Sequence, residues 1–524
     1  MSIILYQKWI ASLLVLMTVS TTLAAQDYPP KYEFRGVWVA TVANIDWPVS
    51  QGLTTEEQQQ AFKELVVYHK QNGMNALIVQ VRPNADALYD SPYEPWSRWL
   101  TGKEGKAPDP YYDPLEFMIK ECRAQQMEFH AWFNPFRAVF GGDTTALDSS
   151  HIYFQHPEWM VFYGKHGYLD PGVPEARKFS LDVIMDVVNR YDIDGVHFDD
   201  YFYPYRVDSL QFPDSLSYAA YGDTLVRKDD WRRENINQFV AAVHDSIESV
   251  KPEVKFGVSP FGVWRNRNQD PLGSDSQAGQ TTYDDLYADI RLWLKNGWLD
   301  YVAPQIYFSI GYPPADYEKL LDWWTRNTFG KQLYIGQAAY KVDNNHDENW
   351  ELASQIPQQI RMNRRNFQVD GSIYFSARSF LENPLNLNDS LQKEYYRHPA
   401  LIPPMTWNRE ENLAPPAPPE KLQIARHKHR VLLQWEGNIH QHVRKYVIYL
   451  SEGDDPPRLI HPQQILGTSY FPQFSFEEKG RGLFRKKHTI VVTAVDKDQR
   501  ESFPSQPIHI RLHPDYALNA LQSF

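Results

Sequence analysis

The sequence predicts an α/β fold, a (β/α)8 barrel, followed by a small all-β sandwich. Three observations carry that expectation. Between Phe34 and about Tyr396, short apolar runs alternate eight times with longer amphipathic ones. The segment Ala414-Pro415-Pro416-Ala417-Pro418-Pro419 then reads as a stiff linker, because prolines favour extended polyproline geometry. Beyond it only strand patterns and turn residues remain.

Taken in order, residues 1–25 combine Lys8, an apolar run from Trp9 to Met17 and small residues ending at Ala24 and Ala25, which is the build of a secretory signal peptide. An N-terminal membrane anchor is the alternative, but the stretch falls short of the roughly 20 apolar residues that span a bilayer. The expected product is an exported protein, secreted or periplasmic, with no membrane span after cleavage. The barrel is expected over residues 26–410, with strands at 34–41, 75–82, 128–134, 195–201, 255–262, 301–308, 332–340 and 371–380. Helices are expected near 56–70, 114–126, 175–191, 229–252, 287–298, 314–327, 353–367 and 386–396. A doubly wound open sheet would show the same alternation. The linker covers 411–419 and the sandwich 420–513, with strands at 421–427, 430–436, 445–451, 488–496 and 506–511 and another near 470–477. Residues 514–524 form a tail.

Composition narrows the function classes. The 524 residues carry 53 Lys plus Arg against 65 Asp plus Glu, a net charge of −12, which argues against a nucleic-acid partner because phosphate backbones are bound by cationic surfaces. A single cysteine, Cys122, excludes intramolecular disulfides and Cys-based zinc or iron–sulfur sites. An aromatic content of 14% is high for a globular chain and needs a role.

Strand side chains alternate between faces, so each barrel strand can be split into a helix-facing and an axis-facing set. In the fourth strand Val196 and Phe198 suit the helix layer, which turns His197 and Asp199 inward and leaves Asp200 on the rim. In the third, Phe129, Ala131 and Phe133 face out, and His130, Trp132 and Asn134 face in, with Arg137 just beyond. The same parity turns inward Gln80 and Arg82 in the second strand and Gln305 and Tyr307 in the sixth. It also turns inward Ser372, Tyr374, Ser376 and Arg378 in the eighth. Polar side chains gathered at strand carboxyl ends lie where barrel enzymes keep their sites. Asp199 is the principal candidate carboxylate, and a second catalytic carboxyl comes from Asp200, Asp86, Glu94 or Asp46; the pattern does not choose among these. Arg82, His130, Asn134, Arg137, His197, Tyr203, Trp264, Gln305 and Tyr307 are candidates for binding substrate. The aromatics crowd near strand ends, and flat rings pack on the C–H faces of sugars, so a polymeric carbohydrate is the substrate class that fits.

The runs Phe34-Arg35-Gly36-Val37-Trp38-Val39-Ala40-Thr41, Asn44-Ile45-Asp46-Trp47-Pro48, Val81-Arg82-Pro83-Asn84-Ala85-Asp86-Ala87-Leu88-Tyr89 and Pro95-Trp96-Ser97 resemble the glycosyl-hydrolase-like family ten. So do Ala131-Trp132-Phe133-Asn134-Pro135, Asp194-Gly195-Val196-His197-Phe198-Asp199-Asp200-Tyr201, Gly257-Val258-Ser259-Pro260-Phe261-Gly262 and Ala303-Pro304-Gln305-Ile306-Tyr307. The resemblance implies a secreted TIM-barrel glycoside hydrolase; related bacterial proteins include a divisome-localised hydrolase of peptidoglycan strands stripped of their peptides. It also implies Asp199 as nucleophile with His197 in support, and no metal or organic cofactor. In the sandwich, Trp435, Tyr449 and the run Thr489 to Asp496 resemble a fibronectin type III module, whose surface would suit envelope or division proteins as partners. Two competing functions are a non-catalytic glycan-binding envelope protein and a metal-dependent deacetylase or amidohydrolase using His130, His197 and Asp199. The latter lacks a His-x-His pair on the first strand.

Overall fold

The computed structural model describes residues 29–208, 210–223, 225–407, 414–437, 443–478 and 485–513. The expected signal peptide, the C-terminal tail and residues 411–413 of the expected linker lie outside these described residues. Eight parallel strands close into a barrel in simple sequential order. They are β1 (Phe34–Val39), β2 (Ala76–Arg82), β3 (Glu128–Phe133), β4 (Gly195–Phe198), β5 (Lys255–Val258), β6 (Tyr301–Val302), β7 (Gln332–Gln337) and β8 (Gly371–Tyr374). β8 pairs in parallel with β1, through Phe34 with Gly371 and Val37 with Tyr374, which closes the ring and removes the open-sheet alternative.

Amphipathic helices follow most strands. α1 (Thr55–Gln71) starts on a capping box in which Thr54 and Glu57 satisfy each other's backbone amides. α2 (Pro114–Ala124) starts on Asp113, whose carboxylate accepts from the Leu115 and Glu116 amides, with proline at its first position. The long helices α3 (Pro174–Arg190) and α4 (Lys228–Val250) bury Val183, Val187, Phe239 and Val243 against the strands' outer faces. The helix expected near 386–396 is broken: Asn383, Leu385 and Asn386 adopt positive φ, and only Leu387–Ser390 is α-helical before a π turn.

The outer core takes Phe129, Ala131, Phe133, Val196 and Phe198, as alternation requires. The barrel interior is unusual in being aromatic: Phe34, Trp38, Trp132, Tyr301 and Tyr334 fill it with Ile78 and Ile373. Phe34 stacks on Tyr334 with centroids 4.1 Å apart, and Tyr334 meets Tyr301 at 4.9 Å. These rings need space that only glycine leaves. A Cβ at Gly257 would lie 2.1 Å from the Tyr301 ring, and one at Gly195 would lie 2.5 Å from the His130 ring. The aromatic surplus therefore occupies the barrel axis as well as its rim.

The eighth strand has the opposite parity to that expected. Ile373 points to the axis, while Tyr374 joins the helix-side core and Ser372 receives the Asn363 amide from the helix layer. A residue pattern of Gly-Ser-Ile-Tyr is apolar on both parities at its end, so periodicity alone could not orient it.

After the barrel, β9 (Glu420–His427), β10 (Arg430–Glu436), β11 (Val443–Glu452), β12 (Ile465–Ser469), β13 (Gln473–Glu477), β14 (Lys486–Asp496) and β15 (Ile508–Leu512) form two antiparallel sheets. Their orders are β9-β10-β13 and β12-β11-β14-β15. Val431, Leu433, Trp435, Ile448, Phe474, Phe476, Ile490 and Val492 meet between the sheets. The opposite face of β11 and β14, through Val447, Tyr449, Val491 and Val495, packs with Leu401 and Tyr32 from the base of the barrel. The module thus covers the amino-terminal end of the barrel, opposite the strands' carboxyl ends.

Candidate active site

A cavity of about 430 Å³ opens at the carboxyl ends of the barrel strands. Asp199, Asp200, Arg137, Gln305 and Tyr307 line it, in company with Trp38, Trp132, Tyr201, Tyr205, Phe308 and Lys341. Volume and mixture match a ligand site in which rings supply contact area and a few polar groups fix orientation.

Asp199 and Asp200 follow β4 directly and are both buried. The Trp132 indole donates to Asp199 Oδ2 at 3.1 Å, and the Tyr201 amide donates to Oδ1 at 3.3 Å. Burial, reinforced by the adjacent Asp200 carboxylate, pushes Asp199 up to about 7, against the pull of Arg137 and these donors. Asp200 takes a different set of partners: the Tyr205 hydroxyl donates to its Oδ2, and Gln305 also bonds it. Burial pushes Asp200 up to about 6, with Tyr205, Gln305 and Arg137 holding it lower than burial alone would. Two neighbouring carboxyls in unlike surroundings, both titrating near neutrality, can divide acid and base roles between them.

Arg137 is delivered to this pair by the loops after β2 and β3. Its Nε and Nη2 donate to the Pro83 carbonyl at 3.1 and 3.0 Å, and Nε also reaches Asn84 Oδ1 at 2.9 Å. Asn134 Oδ1 accepts the Arg137 amide at 3.0 Å and so shapes the turn that presents it. Gln305 is held by donation to the Ser259 carbonyl at 2.9 Å.

His197 lies below the floor. The Trp38 indole donates to its Nε2 at 3.0 Å, and Ser259 Oγ is 2.9 Å from the same nitrogen. Burial, with His130 close by, holds the ring well below the ordinary histidine range, so it is neutral. An indole can only donate, so the His197 proton is on Nδ1, which meets the Tyr301 hydroxyl at 2.9 Å. Tyr301 in turn contacts His130 Nδ1 at 3.0 Å, and His130 Nε2 contacts Glu128 Oε2 at 3.0 Å. Both histidines are therefore members of a hydrogen-bonded string along the barrel axis that underlies the cavity, and neither lines it.

The other sequence candidates are placed as follows. Arg82 follows a β-bulge between Gln80 and Arg82, pairs with Glu94 through Nε at 2.9–3.0 Å, and donates to the Asn134 carbonyl at 2.5 Å. Asp86 is buried beside this pair, accepts the Asn84 amide at 2.8 Å and is pushed up to about 7 by burial. Asp46 accepts from the Ala40 amide, Ser376 Oγ and the Arg378 amide, each at 2.7 Å, and ties the loop after β1 to the loop after β8. Tyr203 packs on Phe212 and Tyr287, both with centroids 5.1 Å away, and Trp264 stacks on Trp323 at 5.9 Å. Asp86, Glu94, Asp46, Arg82, His130, Asn134, His197, Tyr203 and Trp264 do not line the cavity.

Sequence reasoning singled out none of Tyr205, Ser259, Phe308, Tyr340, Lys341 and Phe375 as site residues, although all of them line the cavity. The available signal for Tyr340 and Lys341 was their place at the end of the expected seventh strand. Among the described residues there is no group of three or more His, Cys, Asp or Glu side chains placed to hold a metal ion.

Comparison with known proteins agrees with this geometry. The family model described as glycosyl hydrolase-like 10 matches residues 33–352, which span every barrel strand from β1 to β7. Glycosyl hydrolase YngK of Bacillus subtilis (strain 168) is 43% identical over 519 residues, covering 95% of this chain and 98% of that protein. Glycosyl hydrolase DigH of Escherichia coli (strain K12) is 39% identical over 373 residues, covering 67% of this chain and 84% of that protein. A closed barrel with paired acids at the end of β4, together with these matches, establishes that the chain belongs to the glycosyl hydrolase-like 10 family.

Proposed function

We propose that the protein is a glycosidase that cleaves O-glycosidic bonds of a polymeric glycan, with peptidoglycan strands or another cell-envelope polysaccharide as substrate. The observation that carries this reading is the pair of buried acids, Asp199 and Asp200, in one aromatic cavity with unlike hydrogen-bond partners. Hydrolysis of a glycoside needs a protonated carboxyl to protonate the leaving oxygen and an ionised one to support the anomeric carbon or activate water. A pair titrating near neutrality supplies both forms at once. Asp199 is assigned as the principal carboxylate and Asp200 as its partner acid or base, because Asp86, Glu94 and Asp46 lie outside the cavity lining. Arg137, Gln305 and Tyr307 are assigned to sugar hydroxyls, and Trp38, Trp132 and Tyr201 to sugar faces. The expected signal peptide would place the enzyme outside the cytoplasm, where envelope glycans are found.

Purified protein incubated with peptidoglycan, before and after removal of stem peptides, should release fragments with new reducing ends, read by mass spectrometry. Asp199→Asn should lower that release by about 10²–10⁴-fold. Undiminished release by the variant removes Asp199 from the chemistry, and binding without release by the unmodified protein replaces hydrolysis with glycan binding.

A further inference from the structure

A path of rings and cations runs from the active-site cavity toward a second depression on the surface. It begins at Lys341, in the loop after β7, which lines the cavity. Lys341 Nζ donates to the Tyr307 carbonyl at 2.7 Å and lies 5.8 Å from the centroid of the Phe308 ring. Asp347 acts on this ammonium electrostatically, but its carboxylate is engaged by Ser309 and Asn349. Lys341 forms no ion pair among the described residues.

Phe308 also lines the cavity, and it stacks on Tyr312 with centroids 5.8 Å apart and planes at 12°. The next residue, Pro313, is part of the wall of a second depression of about 360 Å³, lined also by Arg267, Asn268, Asp275, Gln277 and Lys319. Lys319 is paired with Asp275 at 2.7 Å. Arg267 acts on Asp275 electrostatically but makes no ion pair among the described residues, and it is exposed. Lys319 is offset by Asp275 and by nearby Asp316, so Arg267 is the cation this groove holds without an ion-pair partner among the described residues, on a chain whose net charge is −12. An unpaired cation on an acidic surface selects ligand charge locally.

The loop that carries Arg267 is held in place from within. Asn266 Oδ1 accepts the Ala278 amide and the Ser276 hydroxyl, both at 2.9 Å, and the Arg267 amide donates to the Ser274 carbonyl at 2.8 Å. Arg265 clamps the same loop to Asp284 at 2.9 Å and to Asp270 at 2.9 Å. The backbone that carries Arg267 is therefore fixed, so binding has only the Arg267 side chain to order.

We propose that the Lys341–Phe308–Tyr312–Arg267 path is a distal binding track for a carboxylate-bearing polysaccharide, with sugar faces on the two rings and sugar carboxylates on the two cations. This deepens the glycan-hydrolase reading and rests on it for the direction of the chain through the active-site cavity. The shared ligand chemistry is a carboxylate on a pyranose polymer, supplied by a lactyl ether or by a uronate.

The test uses the full chain carrying Asp199→Asn, so that ligand is not consumed. It is titrated with muramoyl glycan strands freed of stem peptides and with polygalacturonate, each with native and with amidated carboxyls. For at least one polymer, amidation should weaken binding about tenfold, and adding Arg267→Gln should weaken binding of the carboxylated form about tenfold while leaving the amidated form within about twofold. The polymer that shows this loss identifies the carboxylate as lactyl or uronate. Equal binding of native and amidated forms, or no effect of Arg267→Gln on either polymer, overturns the track. Reducing-end release by the unmodified chain is measured in parallel: release without carboxylate discrimination defeats the track alone, and discrimination without release defeats the hydrolase reading alone.

Discussion

Asp199 carries a cost in stability that follows from its position. Its carboxyl is lifted from an ordinary value of 3.8 to about 7 by burial and by Asp200. The folded protein therefore holds this proton where the unfolded chain has lost it, so stability falls as pH rises from about 4 to about 7. Asn at this position removes that term. Asp199→Asn should raise the urea-unfolding free energy at pH 7 by ~2–4 kcal/mol, with the gain vanishing as pH falls toward 4. An increment that does not depend on pH would disprove this origin. Asp199, Asp200, Arg137, Gln305 and Tyr307 were legible in the sequence as polar residues at strand ends, and all five line the cavity. Asp86, Glu94 and Asp46 carry the same signature as a catalytic acid, a carboxylate just past a strand. Only their partners, Asn84, Arg82 and the Ala40–Ser376–Arg378 trio, separate them from the cavity pair.

Between elements, the decisive contacts are those that hold the rim loops. Asp46 receives three donors from two loops that are neighbours only because β8 closes on β1. Asp46→Ala would strand the buried Ala40 amide and Ser376 hydroxyl and the partly buried Arg378 amide. The expected loss is ~2–4 kcal/mol of unfolding free energy by denaturant titration, and a loss below about 0.5 kcal/mol would mean water replaces the carboxylate. The number and order of the strands were readable because each has an apolar outer face and a following helix. Local detail was not. The bulge in β2 alters the register past Gln80, β6 has only two paired residues, and β8 reverses the expected parity. The short strand β12, Ile-Leu-Gly-Thr-Ser, was missed because glycine interrupts its pattern and its pairing partner β11 is what makes it a strand.

Across the whole molecule, the β module and the barrel base share buried charge. Arg444 Nη2 reaches Asp194 at 2.6 Å, and Gln499 Nε2 reaches Glu128 at 3.0 Å. Burial alone would raise the Glu128 carboxyl, but Lys255 and His130 outweigh it and hold it below the ordinary carboxylate range. Glu128 is also the last member of the string that begins in the cavity lining at Trp38. Module and barrel should therefore melt together. Arg444→Ala, which leaves Asp194 without its ion-pair partner while Asp192 keeps Arg123, should split a single calorimetric transition into two, the module unfolding first. A single transition at unchanged temperature would show that the apolar contact of Val447, Tyr449, Val491 and Val495 suffices.

The sequence by itself determined the class of the molecule: an eight-stranded α/β barrel, a β module after it, and acids and aromatics massed at the strand ends. Periodicity is a local property, and a strand's outer face is written in its own residues. Tertiary structure alone decided which polar groups share a cavity and which satisfy one another. Asp199 and Asp200 meet Arg137, Gln305 and Lys341 only because barrel closure brings loops from β3, β4, β6 and β7 to one rim. His130 and His197 are drawn into the axis instead because Tyr301, from a strand more than a hundred residues later, stands between them.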